Sequence, residues 1–557
     1  MSTLPDALVT MRERLNLELP LAVPGVETAR RVRDELIAQI DDYLLPRLHN
    51  MDAPLLMVVG GSTGAGKSTL VNSLVGAQVS PAGVLRPTTR APVLVFHPDD
   101  LSWFEGDRVL PAMSRTTGAP GGSGGLELVP TPSLRPGLAL LDSPDIDSVV
   151  DANRALSRQL LAAADAWLFV TTAARYADAV PWELLLAARD RGTALCLVLD
   201  RVPPEAAGEV AEHLREMMRE RGLGDSELLV VPETELVDGR LPAAALAPVR
   251  IWLDGLAADA QARAGLVRHT LTGALDSLPR RAEAVERALA EQAVTAGGLR
   301  ADVETAYTGA LAEIDEAIKS GTLLRGEVLG RWHEVVGTGE LMRGLEAGLS
   351  RMRDRLRSLL TGASTPEAEL EGAVRSSVDA VVHAAADRAA ERAAAAWSDR
   401  PAGRALLERG TRLGAASPDL LPRTADEVRA WQGEVFDMVR REAGAKRTTA
   451  RVASLGVNGA GLVVMLGVFA HTGGLTGAEL VVAGGTSAAG QRVLEALLGD
   501  QAVRTLASRA RETLLERTRG LLDRESTRFH ALLDAVAPAP DAAARLREAV
   551  RAVEAAR

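Results

Sequence analysis

Residues 55–76 read LLMVVGGSTGAGKSTLVNSLVG, and the segment Gly61-Ser62-Thr63-Gly64-Ala65-Gly66-Lys67-Ser68 within them decides the fold. It fits G-x-x-x-x-G-K-[ST] at every fixed position. The apolar run Leu55–Val59 precedes it and the helical run Thr69–Leu74 follows, which is the strand–turn–helix setting the motif requires. The glycines let the backbone wrap tightly enough to aim successive N–H groups at a phosphate chain, and the helix start adds its positive dipole end. Lys67 is predicted to reach the β- and γ-phosphates, and the Ser68 hydroxyl to ligate magnesium. The candidate nucleotide-binding residues are therefore Gly61, Ser62, Thr63, Gly64, Ala65, Gly66, Lys67, Ser68 and Thr69. Of the 63 basic residues only Lys67, Lys319 and Lys446 are lysine, so a lysine kept at position 67 has a chemical reason.

Working outward, short apolar runs alternate with helical stretches. The strand candidates are Leu55–Val59, Pro92–Phe96, Leu138–Leu141, Trp167–Val170, Leu195–Leu199 and Leu228–Val231. Most are continuously apolar, as expected of a mostly parallel sheet covered by helices on both faces. Thr117–Gly125 reads as a flexible loop between strands. The run Leu138–Leu141 ends in Asp142, the expected second magnesium support. Thr88 and Thr89, in Arg86-Pro-Thr-Thr-Arg90, are candidates to close over magnesium and the γ-phosphate as a switch loop; the bland alternative is a strand-entry turn. The catalytic candidates are thus Lys67, Thr88, Thr89 and Asp142, with Ser68, Thr88 and Asp142 at the metal. An ABC-type ATPase would carry a glutamate after the aspartate; Ser143 stands there, and no L-S-G-G-Q precedes it.

Beyond about Pro248 the strand signals stop. Leu271, Leu275, Leu278, Ala282, Val285 and Leu289 form a heptad seam with a kink expected at Pro279. Val303, Tyr307, Leu311, Ile314 and Ile318 form a second stripe, and Leu341 to Leu359 a third. Near the N-terminus, Val32, Leu36, Ile40, Leu44 and Leu48 repeat every four residues. One stretch differs: 452–470 carries no charge, and after a short polar break 475–490 carries only Glu479. Basic residues flank the pair, as in a hairpin that dips into a bilayer and returns to the same face. The alternative is a buried Gly/Ala-rich hairpin inside a bundle. The resulting organisation is N-terminal helices packing with the bundle (1–48), a P-loop α/β domain (49–250), a helical bundle or stalk (251–450), the apolar hairpin (451–491) and a returning helix (492–557).

Composition excludes several classes. The chain has 557 residues, 47% of them hydrophobic, which is incompatible with wholesale disorder. A net charge of −11 argues against nucleic acid as a partner. One cysteine, Cys196, rules out a disulfide framework and reads as strand packing. The histidines show no paired ligand spacing, so no metal beyond nucleotide magnesium is expected. The first residues lack a signal-peptide pattern, which leads to the expectation of a cytoplasmic location.

The segments GSTGAGKSTLVNSLVG (Gly61–Gly76), SPAGVLRPTTRAPV (Ser80–Val93) and LLDSPDID (Leu140–Asp147) resemble the GTPase domain of bacterial dynamin-like proteins. The resemblance is sharp over 55–150 and architectural elsewhere. It implies a GTPase that binds GTP/GDP and Mg2+, and a stalk whose tip meets membrane lipid at the cytoplasmic side of the cell membrane. It also implies self-association through GTPase domain and stalk, or pairing with a second related dynamin-like GTPase, with roles such as cell division or envelope maintenance. Three positions depart from the family pattern. Asp145 stands where a glycine would meet the γ-phosphate; Thr63-Gly64 replace Gln-Ser. Asp200-Arg201-Val202-Pro203 stands where Asn-Lys-x-Asp would read guanine. Asp200 and Arg201 remain nucleotide-binding candidates, with Arg201 able to stack on the base, while Pro203 leaves GTP over ATP selectivity open. Two rivals stay: a soluble Era- or septin-like regulatory GTPase with a helical docking domain, and a membrane scaffold with a slow nucleotide site. Arg175–Trp182, with its Arg, Tyr and Trp, is a candidate self-association surface, the alternative being helix-on-sheet packing.

Overall fold

The computed structural model describes residues 3–81, 91–106, 108–110, 113–116, 125–146, 151–320, 366–409, 412–445 and 500–557. Thr88, Thr89, the apolar pair of runs at 452–490 and the Leu341–Leu359 stripe lie outside the described residues. Among those described, no helix is long and apolar enough to cross a membrane.

Among the described residues eight strands build one sheet: β1 (Leu55–Gly61), β2 (Val93–Phe96), β3 (Arg115–Thr116), β4 (Leu126–Pro130), β5 (Leu138–Asp142), β6 (Ala166–Thr172), β7 (Ala194–Val202) and β8 (Glu227–Pro232). Their order is β3-β4-β2-β5-β1-β6-β7-β8. Every pairing is parallel except β2 with β5. All six strands expected from sequence are present. The two additional ones, β3 and β4, are short, and β4 carries Glu127, which interrupts the apolar run that would announce a strand. Glu127 is nonetheless buried, and burial raises its pKa.

Both sheet faces are apolar because alternate residues point to opposite sides. Leu56, Val58, Leu141, Trp167 and Phe169 belong to one core. Leu55, Met57, Val59, Leu140, Leu168 and Val170 belong to the other, with Leu70 and Leu74 of the helix Lys67–Val75. Cys196 is packed in this second core, and burial pushes its thiol up. Asp165, just before β6, ties three segments together. Its Oδ2 accepts from the Leu56 amide at 2.8 Å and lies 3.0 Å from Arg47 Nη2, while its carbonyl accepts from Thr270 Oγ1 at 2.8 Å.

The described residues form two compact units. One gathers Met1–Leu19, Gly25–Ala290 and Pro538–Arg557; the other gathers Pro20–Pro24 and Glu291–Ala537. The helix Ala260–Lys319 contributes to both and continues through Pro279. The division between the two units falls inside this helix. In the first unit the helix Leu4–Leu15 packs on the C-terminal helix Ala542–Ala555. The stripe near the N-terminus runs through the helix Val26–Gln39 and a π-turn at Ile40–Leu44. Leu36, Ile40 and Leu44 are buried.

The second unit contains the helices Pro366–Ser398, Pro401–Leu407, Leu420–Ala445 and Asp500–Asp534. Trp397 and Trp431 are fully buried there. Their indole N–H groups donate to the carbonyls of Leu299 (2.9 Å) and Ala510 (2.7 Å), so each ring is polar-satisfied as well as packed. The Trp397 ring meets Phe529 edge-on at 5.2 Å. Trp397→Ala should destabilise this unit by about 3–5 kcal/mol, and Trp397→Phe by less, since it keeps a ring in place and loses only the indole hydrogen bond to the Leu299 carbonyl. Urea unfolding followed by far-UV circular dichroism measures both.

Candidate functional site

Parallel register assembles the site. Val59 pairs with Asp142, Gly61 with Val170, and Thr172 with Asp200, so the C-terminal ends of β5, β1, β6 and β7 lie side by side. In open α/β sheets this edge is where ligands sit. β1 delivers the loop Gly61–Gly66 and then the helix Lys67–Val75; β5 delivers Asp142 and β7 delivers Asp200.

The loop needs glycine at two positions for steric reasons. At Gly61 a Cβ would stand 2.1 Å from the Val170 carbonyl oxygen. Gly66 has φ +96°, and a Cβ there would lie 2.6 Å from Asp200 Oδ2. As N-cap, Gly66 also offers no side chain to the first N–H groups of the helix, which remain directed toward the loop. Ala65 is buried, its amide donating to the Ser62 carbonyl at 3.0 Å, while Gly64 is exposed at the tip. Thr69 lies in the first helical turn, and its carbonyl accepts from Ser73 Oγ at 2.6 Å.

Lys67 is buried. Its Nζ donates to the carbonyls of Gly61 (2.9 Å) and Ser62 (3.1 Å) and to Asp145 Oδ1 at 2.5 Å. Ser68 Oγ donates to Asp142 Oδ2 at 2.6 Å, and Ser80 Oγ donates to the same oxygen at 2.5 Å. Asp142 is wholly buried. Burial raises its pKa, opposed by the two serine hydrogen bonds and by the Lys67 charge. Its other oxygen, Oδ1, is buried without a hydrogen-bond partner among the described residues. A hydroxyl beside a carboxylate with a free oxygen is the donor set a nucleotide-bound magnesium uses, so Ser68 and Asp142 fit such an ion. Among the described residues no cluster of three or more His, Cys, Asp or Glu could hold a metal by itself.

Asp200 is also buried, with Oδ1 unpartnered, and burial raises its pKa. Arg201 adopts φ +53°, unusual for a non-glycine residue, and its guanidinium donates to the Gly64 carbonyl. Arg175 Nη1 donates to the Thr63 carbonyl at 2.8 Å while its Nε bonds Asp178 at 2.9 Å. Arg201 at the end of β7 and Arg175 in the turn after β6 thus hold consecutive carbonyls of the loop. Sequence reading assigned Arg175 to a surface for self-association. In the structure Trp182 of that segment is buried in the sheet core, bonded through Nε1 to the Tyr176 carbonyl at 2.8 Å.

The structure brings Lys67, Ser68, Asp142, Asp200 and Arg201 around one turn. Ser80, Arg175 and the ion pair of Asp145 were not assigned to the site from sequence. Ser80 is one hydroxyl in a loop, and no spacing links it to Asp142.

No protein-family model matches the chain, and no curated protein matches it by sequence. Among solved structures it is similar over nearly its whole length to bacterial dynamins. One is described as an oligomerised bacterial dynamin pair that provides a mechanism for long-range sensing and tethering of membranes: 9% identity, 99% of this chain and 95% of that one, TM-score 0.45. Another is LeoA, a bacterial dynamin GTPase from ETEC, at 10% identity, 99% and 97% coverage and TM-score 0.24. Over a shorter stretch it is similar to Toc33 from Arabidopsis thaliana in complex with Mg2+ and GMPPNP, at 15% identity, 42% and 94% coverage and TM-score 0.23. Identities this low leave the chemistry to be read from the site.

Asp142→Asn tests the burial of this carboxylate. A carboxyl whose folded pKa is raised by burial weakens the fold as pH climbs above its ordinary range. The amide should therefore raise stability at pH 7.5 without magnesium by an amount on the order of 1 kcal/mol. The gain should fade toward pH 4, as thermal unfolding at the two pH values will show.

Proposed function

We propose that the chain is a dynamin-like GTPase that binds GTP with Mg2+ at Gly61–Thr69, hydrolyses it, and couples the cycle to membrane binding. The observation that carries the nucleotide part is the convergence of Lys67, Ser68 and Asp142 at the carboxyl ends of adjacent parallel strands, around a turn that only glycine can make. In this reading the loop amides and Lys67 bind the phosphates, and Ser68 and Asp142 would hold magnesium, which neutralises charge on the β- and γ-phosphate oxygens when bound. Asp200 and Arg201 flank the base side of the loop. Pro203 has no carboxylate to grip the guanine N1–H, which makes preference for GTP over ATP a point to be measured. Thr88 or Thr89 would act as the switch threonine.

The membrane part rests on the two apolar runs within 452–490 and on the likeness to membrane-tethering bacterial dynamins. Self-association, with itself or with a second related GTPase, belongs to the same reading. The roles considered for it are cell division and envelope maintenance, at the cytoplasmic face of the membrane. A second reading, a membrane scaffold with a slow nucleotide site, is favoured by one contact: Lys67 is already engaged by Asp145.

Single-turnover assays with GTP and with ATP separate the two readings; hydrolysis should rise with protein concentration or lipid in the first and stay slow in the second. Lys67→Ala should weaken nucleotide binding by about 100-fold or more, as calorimetry with magnesium will show, and unchanged binding would overturn the site assignment. Deleting 452–490 should abolish co-sedimentation with liposomes; retained sedimentation would refute the membrane part.

A further inference from the structure

A lysine ammonium has three N–H donors and no acceptor. In Lys67 all three have partners: the carbonyls of Gly61 and Ser62, and Asp145 Oδ1. The first two belong to the loop itself and move with it. Asp145 belongs to a different segment, the one that leaves β5 after Asp142. Lys67 is buried, at 4% exposure, and Asp145 is mostly covered, at 13%, so their attraction is screened less by salt than that of a surface pair. Their 2.5 Å contact is a charge-assisted hydrogen bond, roughly twice as strong as a neutral one.

The root of this segment is pinned. The Ser143 amide and hydroxyl both donate to the Val59 carbonyl, at 3.2 and 2.9 Å. The Ser157 hydroxyl donates to the Pro144 carbonyl at 2.8 Å. Pro144 has a fixed φ. Beyond it the Ile146 amide lies 3.5 Å from the Gly61 carbonyl and the Ile146 side chain is buried in the sheet core. Between these two anchors Asp145 meets Lys67 through its side chain, which can change partner by rotating its own bonds.

We propose that Asp145 is an internal stand-in for phosphate that sets the affinity of the nucleotide site: a nucleotide's β- or γ-phosphate must displace its carboxylate from Lys67. The inference rests on the reading that Gly61–Thr69 bind a nucleoside di- or triphosphate. It makes Asp145 a positioning residue that acts through Lys67. It also gives a physical reason for an acidic residue beside a phosphate site, where a fixed anion would otherwise only repel the ligand.

The test compares the full chain with its Asp145→Asn and Asp145→Gly variants by calorimetry, using GTP, GDP and GMP with magnesium. Thermal unfolding confirms that each variant is folded, and the glycine variant serves if the asparagine one is not. Removing the competing anion should tighten GTP and GDP by roughly 10- to 100-fold and leave GMP unchanged, because only nucleotides with a β-phosphate compete for Lys67. KM for GTP should fall in step. A purely structural effect would move GMP as well, and that result overturns the proposal. So does unchanged or weaker GTP binding by the variants when the unaltered chain binds. If folded protein of all three kinds binds no nucleotide, the underlying reading of the loop fails, and this inference with it.

Discussion

At the end of β1 the chain must leave the sheet against the carbonyl of Val170, at a distance where no side chain fits. That close approach is possible because β1 runs parallel to β5 and β6 in a register that ends all of them at one level. The rest of the site follows from it. Gly61 turns the chain, Gly66 lets it pass Asp200, and the helix starts with its N–H groups directed into the turn. Asp142 arrives from β5 beside Ser68 because its pairing with Val59 leaves it one step short of the loop.

The electrostatics of this turn are unbalanced in a telling way. Asp142 and Asp200 each keep one oxygen buried and unpartnered, and in both the raised pKa records the cost of that burial. Lys67 offsets Asp145 through direct contact. Arg175 and Arg201 both bond loop carbonyls, so they hold the shape of the turn. An unsatisfied buried oxygen in a native fold calls for an explanation, and the proposed nucleotide with its cation would supply one for Asp142.

The second unit is held differently. Its tryptophans are buried with their N–H groups bonded, and Glu525, buried, accepts from the Ser417 amide at 2.9 Å and lies 2.9 Å from Arg528. Around this core run ion pairs such as Arg517 with Glu427 and Glu434, which are partly exposed and contribute modestly. Burial of alanine, leucine and tryptophan dominates, as the scarcity of other aromatic residues requires.

How much of this was legible in the sequence depended on how local each determinant is. The glycine-rich turn after β1, the six apolar strands and the stripe of Leu271 to Leu289 are written in spacing over a few residues, because strand and helix periodicities are local properties. So was the candidacy of Lys67, Ser68 and Asp142. Strand β4 escaped because a buried glutamate breaks its pattern. What only the tertiary structure decided are the pairings between distant segments: Ser80 on Asp142, Arg175 on the loop, Asp165 on Arg47, and above all Asp145 on Lys67. None of these has a spacing rule, since each depends on which strand ends the sheet brings to one edge, and a register is fixed by the whole core and not by any one stretch of chain.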